Sequence, residues 1–438
     1  MTPVQHGDVA ELDVVAANIG DDRDPYAAYA RATAGASGVP GRRMSVSDDL
    51  DFDLFADTAQ GDVRDPYPDY ARKRREQPVE PLEFYGSETH KVYRYADIDW
   101  ILSDPETFSS RANKQMEIVM GPGLLAMDGR KHHAHRGLVA SAFRRRAIED
   151  WTVALIDPTV QELIDGFAGK GQADLVREFT FRFPVRIIAK MLGIPSNDYG
   201  RFQRLSIELI SITVNIERGF NASMALRDYF SGIVADRRAD PKDDVISKLV
   251  TAEVDGQRLD DEHVYGFLRL LLPAGAETTY RLLGNLLFVL LTNPSQLEEV
   301  VADRSLLAPA IEETLRWEAP VQVVAREPTT DVEVAGYALP AGTQMTLCLG
   351  SANRDETVFE DPDRFDIHRA KAREHLAFAE GPHRCLGEHL ARAETLAAMN
   401  ALLDRLTALE LDPGDADPHV HGMAFRSPTA LPVTFRPG

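Results

Sequence analysis

Two stretches of this 438-residue chain break local structural rules in ways that chemistry would explain. The first reads Phe378-Ala379-Glu380-Gly381-Pro382-His383-Arg384-Cys385-Leu386-Gly387. Glycine, proline and histidine lead into a single cysteine, and a helical pattern over 386–409 starts directly after it. A cysteine at a helix N-terminus has its thiolate stabilised by the helix dipole and by free backbone N–H groups. Gly381 and Gly387 would let the backbone approach something flat or bulky. A lone buried cysteine is ordinarily an inert small hydrophobe. A lone thiolate held by N–H groups suits nucleophilic catalysis or one axial bond to a haem iron.

The second stretch, Pro273-Ala274-Gly275-Ala276-Glu277-Thr278-Thr279, interrupts a mostly apolar helical pattern over 260–291. That pattern spans about 48 Å at 1.5 Å per residue. A proline inside a helix removes a hydrogen bond and costs about 3 kcal/mol. A glycine two residues later adds about 1 kcal/mol. A carboxylate and two hydroxyls then enter an apolar segment, and rules broken together at one place point to function. The plain alternative is a proline kink with threonine hydroxyls bonded back to the preceding turn. Neighbouring helical residues differ in direction by about 100°, so Glu277 and Thr278 cannot share a face on a regular helix. A bulge over 273–276 would open a groove there.

Other candidates are weaker alone. Glu313 and Arg316 sit at helical pairing distance, a spacing common in solvated ion pairs. Pro362-Asp363-Arg364-Phe365 follows. His132 and Arg136, four apart, share one face of a predicted helix. The cluster His132-His133-x-His135 invites a zinc reading, but no matching carboxylate or cysteine pattern follows. Cys348 lies in an apolar run over 345–349 and reads as core.

The elements that must position these residues are mainly helical. Apolar periodicity predicts helices over 138–143, 160–167, 183–192, 229–237 and 390–409, besides the long one. Residues 92–95 and 332–347 read as strands, with Gly336, Pro340 and Gly342 as turns. Residues 1–50 read as an extension with a flexible Gly/Ala-rich linker over 32–43. Residues 20–31 nearly repeat 61–72, either as a duplicated first helix without function or as a mimic for self-association. No second linker follows residue 51, so 51–438 reads as one large domain.

Composition excludes several classes. Lys and Arg total 48 against 69 Asp and Glu, a formal net charge of −21, which argues against general nucleic-acid or anionic-membrane binding. Two cysteines exclude a disulfide framework, a four-cysteine zinc site and an all-cysteine iron–sulfur site. They suit a reduced, cytoplasmic setting. The N-terminus lacks the basic and apolar regions of a secretory signal, and the longest apolar run, near 282–291, is too short to span a bilayer.

Together, the cysteine loop, the long-helix motif and the Glu-x-x-Arg pair resemble those of the cytochrome P-450 family of haem-thiolate monooxygenases, bacterial soluble type. The family's loop, Phe-Gly-x-Gly-x-His/Arg-x-Cys-x-Gly, is matched at Phe378, Gly381, His383, Cys385 and Gly387; Ala379 departs from its usual glycine. The helix motif is matched by Ala274, Gly275, Glu277, Thr278 and Thr279. Glu313, Arg316 and Arg364 match a structural triad. In order, the motifs cover the chain from about residue 51 to its end.

The resemblance implies a mainly α fold, one large helical domain with small β-sheets and a long central helix. It implies haem b with Cys385 as its iron ligand, dioxygen as co-substrate, and Glu277 and Thr278 as the acid–alcohol pair that relays protons. His132, Arg136, Arg326 and His383 match contacts to the haem propionates. A substrate pocket is implied along 116–120, 205–216, 270–274, 321–324 and 423–425, with Leu270, Ala274, Val321, Val323, Met423 and Phe425 as lining and Gln322 as a possible polar anchor. The chain shows no dinucleotide-binding motif and no cluster ligands, so electrons must come from outside. In the family they come from a ferredoxin with a separate NAD(P)H-dependent reductase. Arg130, Lys131, Arg144, Arg145, Arg146 and Arg384 would form its docking face. The implied activity is hydroxylation, or another oxidation, of a mainly apolar small molecule. A peroxide-driven peroxygenase or redox-neutral haem-thiolate enzyme would share the motifs. A haem-binding sensor and a cysteine hydrolase are the readings from other classes.

Overall fold

The Asp260 side chain accepts the His263 backbone N–H at 2.9 Å and starts the long helix with an N-cap. In the computed structural model this helix runs over Asp261–Leu272, passes through a π-helical turn at Pro273–Glu277, and resumes over Thr278–Thr292. The turn falls where proline removes a backbone donor, one residue longer than the expected bulge. Asn293 closes the helix and Pro294 opens the next, Pro294–Ala302. The second half is buried on nearly all sides, with Leu282, Leu283, Leu286, Leu287, Val289 and Leu290 at most 1 % exposed. Each such side chain contributes about 1.5–3 kcal/mol of hydrophobic stabilisation.

The structure describes residues 62–438 apart from 85–86, 141–142, 211–215, 255–256, 413 and 415–416. Except for those in the range Glu83–Glu88, they belong to one compact unit. The expected extension over 1–50, its linker and the first copy of the repeat lie outside the described residues. The helix Tyr67–Glu76 begins inside the second copy.

The fold is mainly α with small sheets. The largest sheet has five strands in the order Val79–Phe84, Ser87–Val92, Gln344–Cys348, Val323–Pro328, Phe108–Ser109. Its inner face carries Val92, Phe108, Met345 and Leu347 onto Ile98, Ile101 and Leu102 of the helix Tyr95–Ser103. Cys348, paired with Val323, is 1 % exposed in this sheet, and burial pushes its thiol up to about 12. Three further strands, Leu406–Leu411, Pro432–Pro437 and Gln172–Asp174, form a second sheet.

Two periodicity readings are corrected. The strand expected over 92–95 ends at Val92, and Tyr95 opens a helix because its N–H is taken by Asp355 Oδ2 at 2.9 Å rather than by a neighbouring strand. The last long helix, Glu388–Arg405, stops short of 409. From Leu406 the backbone pairs with Pro432–Pro437, a partner remote in sequence that helical periodicity cannot reveal. No helix among the described residues is long and apolar enough to cross a membrane.

Candidate active site

The cysteine loop is shaped by backbone approach. Gly381 has φ +71°, and a Cβ there would lie 2.3 Å from the Leu102 carbonyl oxygen. Its glycine therefore permits close contact with the chain itself. At Gly387 an added Cβ would meet nothing within 4 Å. Ala379, the departure from the usual glycine, adopts φ +56°. An L-residue there costs roughly 1–2 kcal/mol relative to a right-handed conformation, so the loop carries local strain. The Cys385 N–H donates to Phe378 O at 2.9 Å, which folds the loop on itself.

Cys385 is partly exposed and lies three residues before the helix Glu388–Arg405. Burial, and to a lesser degree the Glu388 charge, raise its thiol pKa, against an N–H bond from Gly387 and the charges of Arg136 and Arg392. Coordination to a cation would drive its deprotonation.

Beside the loop lies a set of buried donors. The His132 and His383 rings stack with centroids 3.9 Å apart. Desolvation lowers both to about 4, helped by the Arg326 charge, so both are neutral at neutral pH. Arg326, on the strand Val323–Pro328, is 6 % exposed, and desolvation lowers its pKa to about 10. Among the described residues its guanidinium donates to Ala325 O at 2.8 Å and forms no ion pair. The nearby carboxylate, Asp128, is engaged by Ser109 Oγ at 2.5 Å and the Ser110 N–H at 3.1 Å. A buried guanidinium without a paired anion carries a desolvation penalty of several kcal/mol. The two carboxylates of haem would offset it, so these residues fit that cofactor. Arg136 differs from expectation: one of its N–H groups donates to the Arg384 carbonyl at 2.6 Å, tying the helix Gly129–Ala140 to the cysteine loop. His133 is exposed, and His135 Nδ1 lies 2.9 Å from Lys131 O, so the three histidines point different ways.

The π turn separates the acid from the alcohol. Thr278 is partly exposed and donates to Ala274 O at 2.8 Å. Ala274 is exposed beside it. Gly275 permits close packing, since a Cβ there would come 2.6 Å from Ile188 Cδ1. Glu277 faces the other way, 4 % exposed. Its Oε1 accepts from Arg281 Nε at 2.8 Å and Tyr280 OH at 3.1 Å, and a second Arg281 N–H completes the pair. Arg281 also donates to Ser427 Oγ at 2.9 Å. Glu277 is therefore an ion-paired carboxylate directed away from Thr278, not one presented beside it. The sequence signal for this pair is the four-residue spacing of Glu277 and Arg281.

The expected triad is corrected at its third member. Glu313 and Arg316 pair through two bonds of 2.7 Å and are fully buried. The second guanidinium on Glu313 belongs to Arg369, with Nε 3.0 Å from Oε1. The Arg364 side chain is 67 % exposed, and only its carbonyl serves the cluster, accepting from Arg316 at 3.1 Å. Five residues of loop carry the chain from Arg364 to Arg369, and the turn decides which side chain reaches inward.

A small open pocket is lined by Met116, Met120, Leu125, Ala126 and Leu270, with Asn113 and Glu117 among its polar residues. Of the expected pocket, Leu270 and the segment 116–120, through Met116, Glu117 and Met120, belong to it. Val321 and Phe425 meet in a separate antiparallel bridge, Val323 opens the strand paired with Cys348, and Met423 is 46 % exposed. Gln322 is 1 % exposed and donates to Ala319 O at 2.7 Å, so it is a core residue rather than a substrate anchor. Of the expected docking cations, Lys131, Arg144 and Arg146 are exposed, as is Arg130. Arg145 pairs with Glu149 at 3.1 Å. Arg384 is engaged within the loop by Glu380 and Glu388.

Comparison with known proteins bears on most of the chain. Residues 197–431 match the family model described as Cytochrome P450. The monooxygenase PikC of Streptomyces venezuelae is 35 % identical over 390 residues, covering 85 % of this chain and 92 % of the relative. The cyclomarin C epoxidase CymV of Salinispora arenicola is 38 % identical over 362 residues, covering 76 % and 90 %. The solved structure of cytochrome P450 CYP109Q5 from Chondromyces apiculatus matches with a TM-score of 0.79 at 35 % identity, covering 87 % of this chain and 99 % of that one. A fold shared over nearly whole lengths, carrying one partly exposed cysteine near the buried Arg326 guanidinium, leads to one conclusion: the chain belongs to the cytochrome P450 family of haem-thiolate monooxygenases.

Proposed function

We propose that Cys385 is the thiolate ligand of the haem iron, that His132, Arg326 and His383 hold the propionates, and that the enzyme oxidises a mainly apolar small molecule with electrons from a ferredoxin-type partner. Members of this family bind haem b and use dioxygen. The observation that carries the reading is the buried Arg326 guanidinium, with no ion pair among the described residues, beside the stacked His132 and His383. His383 lies two residues from Cys385, so one planar ligand could meet both the sulfur and these donors.

Haem supplies the activation of dioxygen, and a thiolate ligand donates electron density that favours O–O cleavage. The protein's part is to bind, orient and deliver protons. Arg326 neutralises a carboxylate, and the two imidazoles donate to its oxygens without needing charge. Thr278 presents a hydroxyl at the opened turn of the long helix, where it can pass a proton. Glu277 is held by Arg281 and Tyr280, so ordered water or a swing of its side chain must link it to Thr278. The apolar side chains of Met116, Met120 and Leu270 suit a substrate held mainly by contact area. Exposed Arg130, Lys131, Arg144 and Arg146 give an otherwise acidic chain a basic face for an acidic electron carrier, with a rate that falls as salt rises.

The primary test is the absorption spectrum of the purified, haem-loaded protein after reduction and addition of carbon monoxide. A strongly red-shifted Soret band is the expected result; a histidine-like spectrum, or no haem in protein made with sufficient iron and haem precursor, overturns the reading. Thr278→Ala should divert electrons from product to peroxide, lowering coupling by about tenfold or more, at the low end for loss of a positioned proton donor. Unchanged coupling would assign proton delivery elsewhere.

A peroxide-driven reaction has one observation in its favour, the locking of Glu277 away from Thr278. Product formed faster with peroxide than with ferredoxin and reduced nicotinamide would favour it.

A further inference from the structure

The cysteine loop carries a ladder of charges that haem binding alone does not explain. Arg384 donates to Glu388 through two bonds, of 3.1 and 3.0 Å, and also pairs with Glu380. Glu388 accepts in turn from Arg392 at 2.9 Å. Arg392 turns the rest of its guanidinium toward Glu312, with Nε 2.6 Å from Oε1 and a second nitrogen 3.0 Å from Oε2. Glu312 lies on the helix Leu307–Trp317, and its Oε2 also meets His375 Nε2 at 3.2 Å. The ladder thus crosses from the loop, through the helix Glu388–Arg405, to a third element.

Arg392 has a second contact. Its guanidinium carbon lies 4.5 Å from the centroid of the Phe378 ring. The His375 ring is also near Phe378, with centroids 5.7 Å apart. Phe378 is the residue whose carbonyl accepts the Cys385 N–H. One planar cation therefore lies against the residue that anchors the cysteine, while carboxylates on two helices hold it. A bidentate fork fixes orientation as well as charge, and a guanidinium over an aromatic face adds a cation–π attraction. Glu312 is 4 % exposed, so the pair works in a medium of low effective dielectric.

We infer that Arg392 is a positioning residue: clamped by Glu312 and Glu388, it holds Phe378 and so the loop that presents the Cys385 sulfur, and it sets a cation near the thiolate. The inference rests on the reading that Cys385 binds the haem iron. Arg392 acts through Phe378 and through its charge. Its removal should release the loop and disfavour the reduced, more negative state of the centre.

The test compares wild type, Arg392→Gln and Arg392→Lys, full-length and haem-loaded. The measurements are haem content, the thiolate-type share of the ferrous–carbon monoxide spectrum, the ferric–ferrous equilibrium and thermal unfolding. Arg392→Gln should lower the thiolate-type share and shift the equilibrium toward ferric by about threefold or more, as loss of a nearby partly buried charge requires. Arg392→Lys keeps the charge but neither forks nor stacks. It should also lower the thiolate-type share while holding the equilibrium within about twofold of wild type. A purely structural role predicts earlier unfolding with wild-type share and equilibrium in both variants, and that result overturns the inference. Should Arg392→Gln fail to retain haem, Glu312→Gln serves instead, since it frees the fork but keeps the cation. It should behave as the lysine variant does, and wild-type values would overturn the proposal. The two readings separate cleanly: a wild-type protein without the thiolate-type band counts against Cys385, whereas normal wild type with unaltered variants counts against Arg392 alone.

Discussion

Replacing Cys385 by serine should abolish the thiolate-type carbon monoxide spectrum and lower monooxygenation by more than about 100-fold, beyond the usual cost of losing an outer-shell partner of a metal. The alcohol of serine does not ionise in this range and cannot donate electron density as a thiolate does. The fold should survive. Cys385 is partly exposed, and the Cys385 N–H to Phe378 O bond does not involve the side chain. A small isosteric change at such a position shifts stability by about 1 kcal/mol or less. The decisive measurement is the spectrum and turnover of folded Cys385→Ser protein, with circular dichroism as the check on folding. Retained native turnover would remove Cys385 from the centre. Labelling of wild-type Cys385 by a thiol reagent in native, haem-free, active protein would instead support a cysteine hydrolase.

The second large effect is on stability. Glu313→Gln should destabilise the protein by about 3–5 kcal/mol, because it leaves buried guanidinium charge uncompensated. Glu313 and Arg316 are both fully buried, and Arg369 is the second cation on the same carboxylate. Arg316 also holds three carbonyls, those of Asn353, Pro362 and Arg364, at 2.8–3.1 Å. Losing the carboxylate therefore loosens the whole segment that leads to the cysteine loop, and haem retention should fall with stability. Arg369→Ala should also cost several kcal/mol, whereas Arg364→Ala should stay within about 0.5 kcal/mol, as surface substitutions do. Denaturant unfolding of the three variants checks this order. Equal effects at 364 and 369 would contradict the assignment of Arg369 to the cluster.

These outcomes separate what each level of organisation decides. The sequence by itself determined the family, the mainly helical fold, the lone cysteine at the start of a helix and the break in the long helix. Those are local facts. A proline without an N–H, a cysteine just before an apolar helical pattern, and an N-cap aspartate act within a few residues of themselves, so spacing is enough to read them. The π turn at Pro273–Glu277 followed from such local rules.

Tertiary structure alone decided which side chains meet. Arg364 and Arg369 are equivalent by composition, and only the path of their loop turns one outward and the other onto Glu313. Glu277 and Thr278 are adjacent in sequence, yet Arg281, Tyr280 and Ser427 draw the acid away from the alcohol. Arg384 reads as a docking cation until Glu380 and Glu388 are seen to hold it. The last strand, Leu406–Leu411, exists because Pro432–Pro437 lies beside it. The physical reason is common to all four. Spacing offers local partners, as for Glu277 with Arg281 and Arg384 with Glu388, but which partner a side chain takes, and which remote segment lies beside it, depends on directions and distances that residue type and spacing do not carry.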